Sequence, residues 1–156
     1  MVWTELHALC AEQYHTKEHL DDILKRLEQH PEEARQEHED GTLPLHHLLK
    51  NDPPIHVISK LVDIYPEALF EENDKGYMPL HMACRYGCNV EVVTYLIHRN
   101  PQAVERRAKG SFDITHLAQH FRYGLDVVSC EDMVKALPED HVNRAALLEL
   151  IQKHTQ

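Results

Sequence analysis

The stretch "GYMPLHMACRYGCNVEVVTYLI", residues 76–97, combines a turn glycine, a Pro-Leu-His step and a β-branched apolar run. Proline suits the first turn of a helix, because its missing N–H needs no partner there and its fixed φ is helical. After Gly87, the apolar residues Val90, Val93 and Ile97 follow at spacings i, i+3 and i+7, which places them on one face of a second helix. The stretch therefore predicts two consecutive helices joined by a short turn.

The same arrangement recurs along the chain. Prolines that follow an apolar helical face recur every 35 residues (31, 66, 101), turn glycines recur at spacings of 35 and 34, and histidines recur at spacings of 39 and 35. The recurring residues are Pro31, Pro66 and Pro101, then Gly41, Gly76 and Gly110, and finally His7, His46 and His81. Since neither helix of a unit can bury its apolar stripe alone, the units must stack on one another. The sequence therefore predicts a repeat protein.

The residues of the third unit resemble an ankyrin repeat. The match runs through Asn73, Gly76, "MPLH" at 78–81, "AC" at 83–84 and the apolar face that ends at Ile97. The resemblance implies an all-α, ankyrin-type solenoid of helix-turn-helix repeats joined by β-hairpin loops, in a single domain. The expected repeats are about 4–38, 39–73 and 74–107, then a degenerate repeat at 108–121 and a helical C-terminal cap at 122–156.

The C-terminal segment departs from the repeat pattern. Either Thr115 or His116 fills the histidine position of the fourth unit, depending on one inserted residue. A short helix is expected with Ser129 as its N-cap and an end before Pro138. A final helix is expected at about 142–154, with Leu147, Leu150 and Ile151 facing inward.

The resemblance assigns structural roles to the repeated residues. It implies that His7, His46 and His81 bond the loop backbone, that Pro44 and Pro79 start helices, and that Gly41, Gly76 and Gly110 form turns. The threonine usual before Pro-Leu-His is replaced by Leu43 and Met78, so the family's threonine–histidine bond is missing from the second and third units.

Composition excludes several classes of protein. The chain has 156 residues, 42% apolar and 27% charged, which are globular values. No apolar run approaches the roughly 20 residues of a membrane-spanning helix. A formal charge of −10 argues against nucleic acid as the partner, since phosphate binding needs clustered Lys and Arg. Four scattered cysteines and the lack of a secretory signal favour the cytoplasm or nucleus.

Candidate chemistry is sparse. Two HxxxH pairs, His15/His19 and His116/His120, could place two rings on one helix side for a divalent metal. Neither pair has the HExxH pattern of zinc proteases, and the chain has no phosphate-binding glycine loop or GxSxG motif. The sequence therefore predicts a protein that is not an enzyme and holds no cofactor or metal.

The resemblance implies a surface for a partner on a concave face made by hairpin tips and first-helix ends. The corresponding residues are Glu39, Asp40, Thr42, Lys50, Asn51, Asp74, Lys75, Tyr77, Arg85, Tyr86, Lys109 and Ser111, with Ala108, Gln119 and His120 beside them. Acidic tips give way to Arg106, Arg107 and Lys109 along this strip, a pattern that would steer a partner's approach.

These features predict a non-catalytic protein–protein interaction module, an adaptor or scaffold that is a monomer when free. Its expected partner is another protein, for which a basic segment would suit the acidic tips, rather than nucleic acid or a membrane. One alternative is a structural subunit docked permanently through its stack ends, where Trp3 is expected to be exposed. Another is a histidine-based metal-binding protein. The initiator Met and the polar end "QKHTQ" favour a complete small protein.

Overall fold

The computed structural model describes residues 3–12, 16–74, 76–106, 108–109 and 127–155. Within these ranges the α-helices are α1 (Glu5–Ala11), α2 (Lys17–Gln29), α3 (Pro44–Leu49), α4 (Ile55–Ile64), α5 (Pro79–Tyr86), α6 (Val90–Arg99), α7 (Cys130–Lys135) and α8 (Arg144–His154). Single 3-10 turns follow the second helix of each unit at Pro31–Arg35, Pro66–Phe70 and Pro101–Val104. Two short strands, β1 (Ala108–Lys109) and β2 (Val127–Val128), pair antiparallel.

The short helices begin at caps that use the repeated histidines. In α1 the hydroxyl of Thr4 accepts a hydrogen bond from the backbone N–H of His7 at 3.3 Å, as expected of an N-cap threonine. Leu43 precedes α3 and has no such acceptor, but its own backbone N–H donates to His46 Nδ1 at 3.0 Å. Pro44 occupies the first helical position of α3, where no N–H is needed.

The long helices end where the sequence predicts, at the residue before each proline. In α4 the residues Val57, Ile58, Leu61 and Val62 are fully buried, which leaves the other side of the helix to solvent. Tyr65 then leaves helical geometry before Pro66 and opens the 3-10 turn. The apolar face predicted from spacing is therefore the face that packs.

The helices stack in two layers. The first helices α1, α3, α5 and α7 pack side by side in that order, and so do the second helices α2, α4, α6 and α8. The core lies between and along the layers and includes Leu6, Ile23, Leu45, Leu61 and Ile97, all at most 1% exposed. The predicted all-α solenoid is confirmed.

The C-terminal helices continue this stack. Helix α7 is capped by Ser129 and ends before Pro138, and α8 buries Leu147 and Ile151 while Leu150 is half-buried. The carboxylate of Asp132 accepts from the backbone N–H of Ser129 at 3.2 Å, the role that the His46 ring plays for Leu43. The degenerate repeat expected at 108–121, with its choice of Thr115 or His116, lies almost entirely outside the described residues.

The predicted β-hairpin loops are not confirmed, because the described residues of the first two tips contain no assigned strand and form turns closed by hydrogen bonds. His38 N–H donates to the carbonyl of Thr42 at 2.9 Å, and Gly41 N–H donates to the carbonyl of His38 at 2.8 Å. Gly41 has φ +74°, a backbone conformation that residues with a side chain rarely adopt. A Cβ there would also lie only 2.9 Å from Asp74 Oδ1, so both the backbone conformation and the lack of space favour glycine. Adjacent tips are tied together, because Asp74 N–H donates to the carbonyl of Asp40 at 2.9 Å. The result is a continuous row of tips beside the first helices.

Candidate functional site

The repeated histidines join each unit to the next. Their Nε2 atoms lie 3.3, 3.0 and 2.8 Å from the carbonyl oxygens of Thr42, Tyr77 and Arg106, for His7, His46 and His81 respectively. Their Nδ1 atoms accept backbone N–H groups of Thr4, Leu43 and Met78 at 3.2, 3.0 and 3.0 Å. An accepting Nδ1 assigns the hydrogen to Nε2, which therefore donates to the carbonyl. Both ring nitrogens are thus engaged with backbone, and neither is left for catalysis or metal binding.

Burial keeps the central histidine neutral. Desolvation lowers the pKa of His46 to about 4, although the hydrogen bond to the Tyr77 carbonyl favours the charged ring. Burial also lowers the pKa of His7. At neutral pH the rings of His7 and His46 are therefore uncharged, as their bonding pattern requires. At His81, desolvation is outweighed by hydrogen bonds with Cys130 and the Arg106 carbonyl, which raise the pKa.

The tip row and the ends of α3 and α5 enclose a cleft of about 160 Å³. Its lining is Asp40, Thr42, Lys50, Asn73, Asp74, Tyr77, Met82, Arg85 and Tyr86. Seven of these nine residues were predicted from the sequence to contact a partner; Asn73 and Met82 were not. The fold therefore brings residues of the second and third units together around one depression. We define the tip face as the surface formed by residues 38–42, 73–74 and 76–77 of the tips, the C-terminal ends of α3 and α5, and Trp3.

Two residues expected to present their side chains at the tips are buried instead. Tyr77 is 1% exposed and Thr42 is 3% exposed, so the expectation that they project to a partner is wrong. Each directly precedes the N-cap of a first helix, where the chain turns its side chain inward between tip and helix. In the third unit, the guanidinium of Arg85 closes over the Tyr77 ring at 5.4 Å from its centroid.

Asn51 also has a structural role that the sequence did not predict. Its side-chain amide donates to the carbonyls of Cys10 at 3.3 Å and Glu12 at 2.9 Å. These bonds satisfy the C-terminal end of α1 from the neighbouring unit. Asn51 therefore serves the packing of the first unit on the second.

Arg85 and Tyr86 form the exposed part of the predicted cluster. The guanidinium lies 5.2 Å from the centroid of the Tyr86 ring as well as over Tyr77, and Tyr86 is 37% exposed. Burial raises the pKa of Tyr77, while the charge of Arg85 opposes that rise. The cluster expected at the middle of the face is therefore present, with Tyr77 as its buried floor.

Charges along the face are partly paired. Burial would raise the pKa of Asp40, but hydrogen bonds with Thr42 and the neighbouring His38 outweigh it and hold the pKa below its ordinary value. Arg106 Nη2 lies 2.9 Å from Glu72 Oε1, so the first residue of the predicted basic end is paired with the acidic part. Lys109 is in β1; Arg107 and the remaining predicted residues Lys75, Gly110, Ser111, Gln119 and His120 lie outside the described residues.

Trp3 is exposed, as the sequence predicted, and it also belongs to the tip face, which was not predicted. The indole stacks on His7 with 5.4 Å between ring centroids and meets His38 at 5.0 Å and His47 at 5.3 Å. It is 46% exposed. A signal was present in the sequence, because Trp3 directly precedes the cap Thr4 just as Tyr77 precedes Met78.

The N-terminal end of the stack is polar. A hollow between α1 and α2 is lined by Glu5, Leu9, Asp22, Lys25, Arg26 and Gln29. Arg26 forms ion pairs with Glu33 (Nη2 to Oε1, 2.5 Å) and with Glu5 (Nη1 to Oε2, 2.9 Å). The hydrogen bond from Arg26 lowers the pKa of Glu33. The hollow at this end is therefore lined mainly by polar and charged side chains, whereas Trp3 of the same unit is exposed, as expected. No helix of the described chain has the length and apolarity to cross a membrane.

The histidine pairs and cysteines show no metal centre within the described ranges. His19 Nε2 lies 2.7 Å from the carbonyl of Leu9, and its Nδ1 lies 3.3 Å from a Glu12 carboxylate oxygen. His15, His116 and His120 are outside those ranges, within which no three His, Cys, Asp or Glu side chains could hold a metal ion. The four cysteines are free and buried, and burial raises the pKa of Cys10 and Cys88.

Comparison with known families agrees with this architecture. The family model described as ankyrin repeats (3 copies) matches residues 6–107, more than half of the chain. A search of curated proteins finds no match to the chain. Ankyrin repeats generally mediate protein–protein interaction, and the family is generally non-enzymatic. With three matched repeats and a stack of paired helices bridged by histidines, the chain belongs to the ankyrin repeat family.

Proposed function

We propose that this protein is a non-catalytic adaptor that binds another protein on its tip face. The observation that carries the proposal is the arrangement of Arg85 between Tyr77 and Tyr86 at the rim of the cleft. Tyrosine and arginine are the residue types that dominate binding energy at protein interfaces. An arginine already held between two rings loses less side-chain entropy on binding.

The character of the N-terminal stack end supports an adaptor over a permanently docked subunit. Obligate interfaces are more hydrophobic than the remaining surface, whereas the outward side of α1 and α2 carries the charged hollow around Arg26. The four free thiols support a reducing compartment, the cytoplasm or nucleus. We also expect a soluble monomer in the unbound state, because the charged side chains at the N-terminal stack end disfavour self-association there.

A paired set of variants tests the proposal. In the first, Arg85→Glu and Tyr86→Ala remove the cluster on the tip face. In the second, Arg99→Glu and Tyr95→Ala remove a chemically matched pair on α6, in which Arg99 lies 5.7 Å from the centroid of the Tyr95 ring. Tagged wild type captures partners from native lysate, and affinity for the captured protein is then measured with purified components.

We expect the tip-face variant to lose at least about tenfold in affinity, as removal of a hot spot does, and the α6 variant to bind like wild type. Circular dichroism checks that both variants keep their helices. Equal binding by all three proteins, or loss confined to the α6 variant, would contradict the proposal. Loss in neither variant combined with stable oligomers would instead support the docked-subunit alternative.

A further inference from the structure

Every tyrosine that the structure describes lies against an arginine of the chain itself. The distances from guanidinium carbon to ring centroid are 5.4 Å for Arg35 and Tyr65, 5.4 and 5.2 Å for Arg85 with Tyr77 and Tyr86, and 5.7 Å for Arg99 and Tyr95. Among the described residues, no arginine or lysine lies over the ring of Trp3. Tryptophan is nevertheless the aromatic ring that attracts cations most strongly.

The repeat explains why Trp3 lacks this contact. Trp3 and Tyr77 occupy the same position, one residue before the N-cap of a first helix. Arg85 is the seventh residue of α5 and covers the ring of Tyr77. The seventh residue of α1 is Ala11, and its methyl group is too short to cover the ring of Trp3. The exposed fractions differ accordingly, 46% for Trp3 against 1% for Tyr77.

The groups around Trp3 favour a cation. His7 stacks on the indole, and His38 and His47 approach it on the sides of the second tip and α3. Burial lowers the pKa of His47 to about 4 and lowers that of His7, so both rings are uncharged at neutral pH.

Charged residues of both signs lie near this cluster. Asp40 Oδ1 lies 3.5 Å from His38 Nδ1, and Glu37 and Glu39 are exposed in the same segment. Lys50, on the side of α3, is the neighbouring cation. Among the described residues of this segment and α3, the carboxylates of Glu37, Glu39 and Asp40 outnumber the ammonium of Lys50, and this excess of negative charge complements a basic side chain.

We propose that Trp3 binds an arginine side chain of the partner protein, which stacks on the exposed indole beside Asp40. The partner's guanidinium would make at Trp3 the contact that Arg85 makes at Tyr77. A guanidinium suits this place because it is planar and weakly hydrated, and it can stack on the ring while it donates to a carboxylate. This inference rests on the proposed function and specifies the partner as one with an extended, arginine-containing segment.

Asp40 connects this contact to the rest of the face. The same residue bonds within the second tip and lines the cleft that contains Arg85 and Tyr86. One extended segment could therefore place its arginine at Trp3 and its following residues along the cleft. The acidic residues of the second tip then complement the charge of the partner's arginine.

The intrinsic fluorescence of Trp3 provides the test, because it is the only tryptophan of the chain. The full-length protein is titrated with an acetylated, amidated peptide of glycine and serine that carries two arginines. A second peptide has citrulline in place of each arginine, which keeps the shape and removes the charge. We expect a saturable change in Trp3 emission, with affinity for the citrulline peptide weaker by at least about fivefold.

Charge variants make the test specific. Asp40→Asn should weaken binding of the arginine peptide, whereas Asp21→Asn on the exposed side of α2 should leave that binding unchanged. The inference is overturned if both peptides bind with equal affinity or if the emission of Trp3 does not change. It is also overturned if the two variants weaken binding equally, because the peptide would then be attracted only by the overall negative charge of the protein. Calorimetry with Trp3→Leu, checked for unchanged helicity, should show loss of the arginine preference.

The two proposals can fail separately. The Arg85→Glu, Tyr86→Ala variant should keep the Trp3 response to the arginine peptide, because those residues lie at the cleft and not at the indole. If the Trp3 response is absent while partner capture still depends on Arg85 and Tyr86, only this inference falls. If the Trp3 response is present but the Arg85→Glu, Tyr86→Ala variant captures the partner as well as wild type does, the proposed function is wrong instead.

Discussion

The first and third units place an aromatic ring at the same position and treat it in opposite ways. Tyr77 is sealed by Arg85 and belongs to the core, whereas Trp3 has Ala11 at the corresponding helix position and remains 46% exposed. Both units use the same histidine bridge to the next loop. The comparison teaches that the repeat sets where a side chain starts, while the neighbouring side chains decide whether it becomes core or surface.

The largest expected effect concerns the scaffold that the units share. His46→Ala should lower the free energy of unfolding by about 3 to 5 kcal/mol, because it leaves the buried Leu43 N–H and Tyr77 carbonyl without partners and opens a cavity. His7→Ala should cost less, about 1 to 3 kcal/mol, since the Thr4 hydroxyl still caps α1. Urea unfolding followed by circular dichroism measures both values.

His56→Ala is the matched control, because His56 is exposed on α4 and its replacement should change stability by less than about 0.5 kcal/mol. Equal costs for His7→Ala and His46→Ala would show that the N-terminal and central bridges are equivalent. That result would remove the energetic part of the comparison between units.

The pH dependence of stability should reveal the same bridge. The pKa of His46 is about 4 in the folded protein and 6.5 in the unfolded chain, so folding favours the neutral ring. The stabilisation is complete above pH 6.5 and is lost as pH falls toward 4, by about 3 kcal/mol for this group. The midpoints of urea unfolding at about pH 7, 5.5 and 4.5, which span the range between the two pKa values, measure this loss of stability.

His46→Gln cannot be protonated and should reduce this loss, whereas His56→Gln should leave it unchanged. If the His46→Gln protein loses stability with the same pH profile as wild type, His46 is not the group responsible. His47 also titrates low, since burial lowers its pKa to about 4, and it adds a smaller, solvent-screened contribution of the same sign.

The smallest effect is the conversion of the first unit into the third. Ala11→Arg should place a guanidinium over Trp3, reduce quenching of its fluorescence by acrylamide, and stabilise the fold by about 0.5 to 1 kcal/mol. It should also compete with the arginine peptide for the indole. Ala11→Gln has a polar side chain without the charge, so equal effects of the two substitutions would mean that bulk, and not a cation, covers the ring.

Much of the fold could be predicted because its signals are local. The i, i+3, i+7 spacing identified the buried faces of the long helices, the x-Pro steps marked their ends, and Ser129 marked the start of α7. The position of the cleft also followed, once the resemblance had assigned the tips and helix ends. The helix faces, ends and starts depend on residues within a few positions of one another, whereas the position of the cleft came from the resemblance.

The remaining features depend on contacts between units. Asn51 bonds the end of α1 some 40 residues earlier in the chain (39 and 41), and Arg106 pairs with Glu72 from the preceding tip. The sequence by itself determined the period, the helix faces and the residues available to the tip face. Only the tertiary structure decided that Tyr77 is buried and Trp3 is open, because a side chain's exposure depends on which neighbour covers it, and that neighbour comes from the packing of helix against tip.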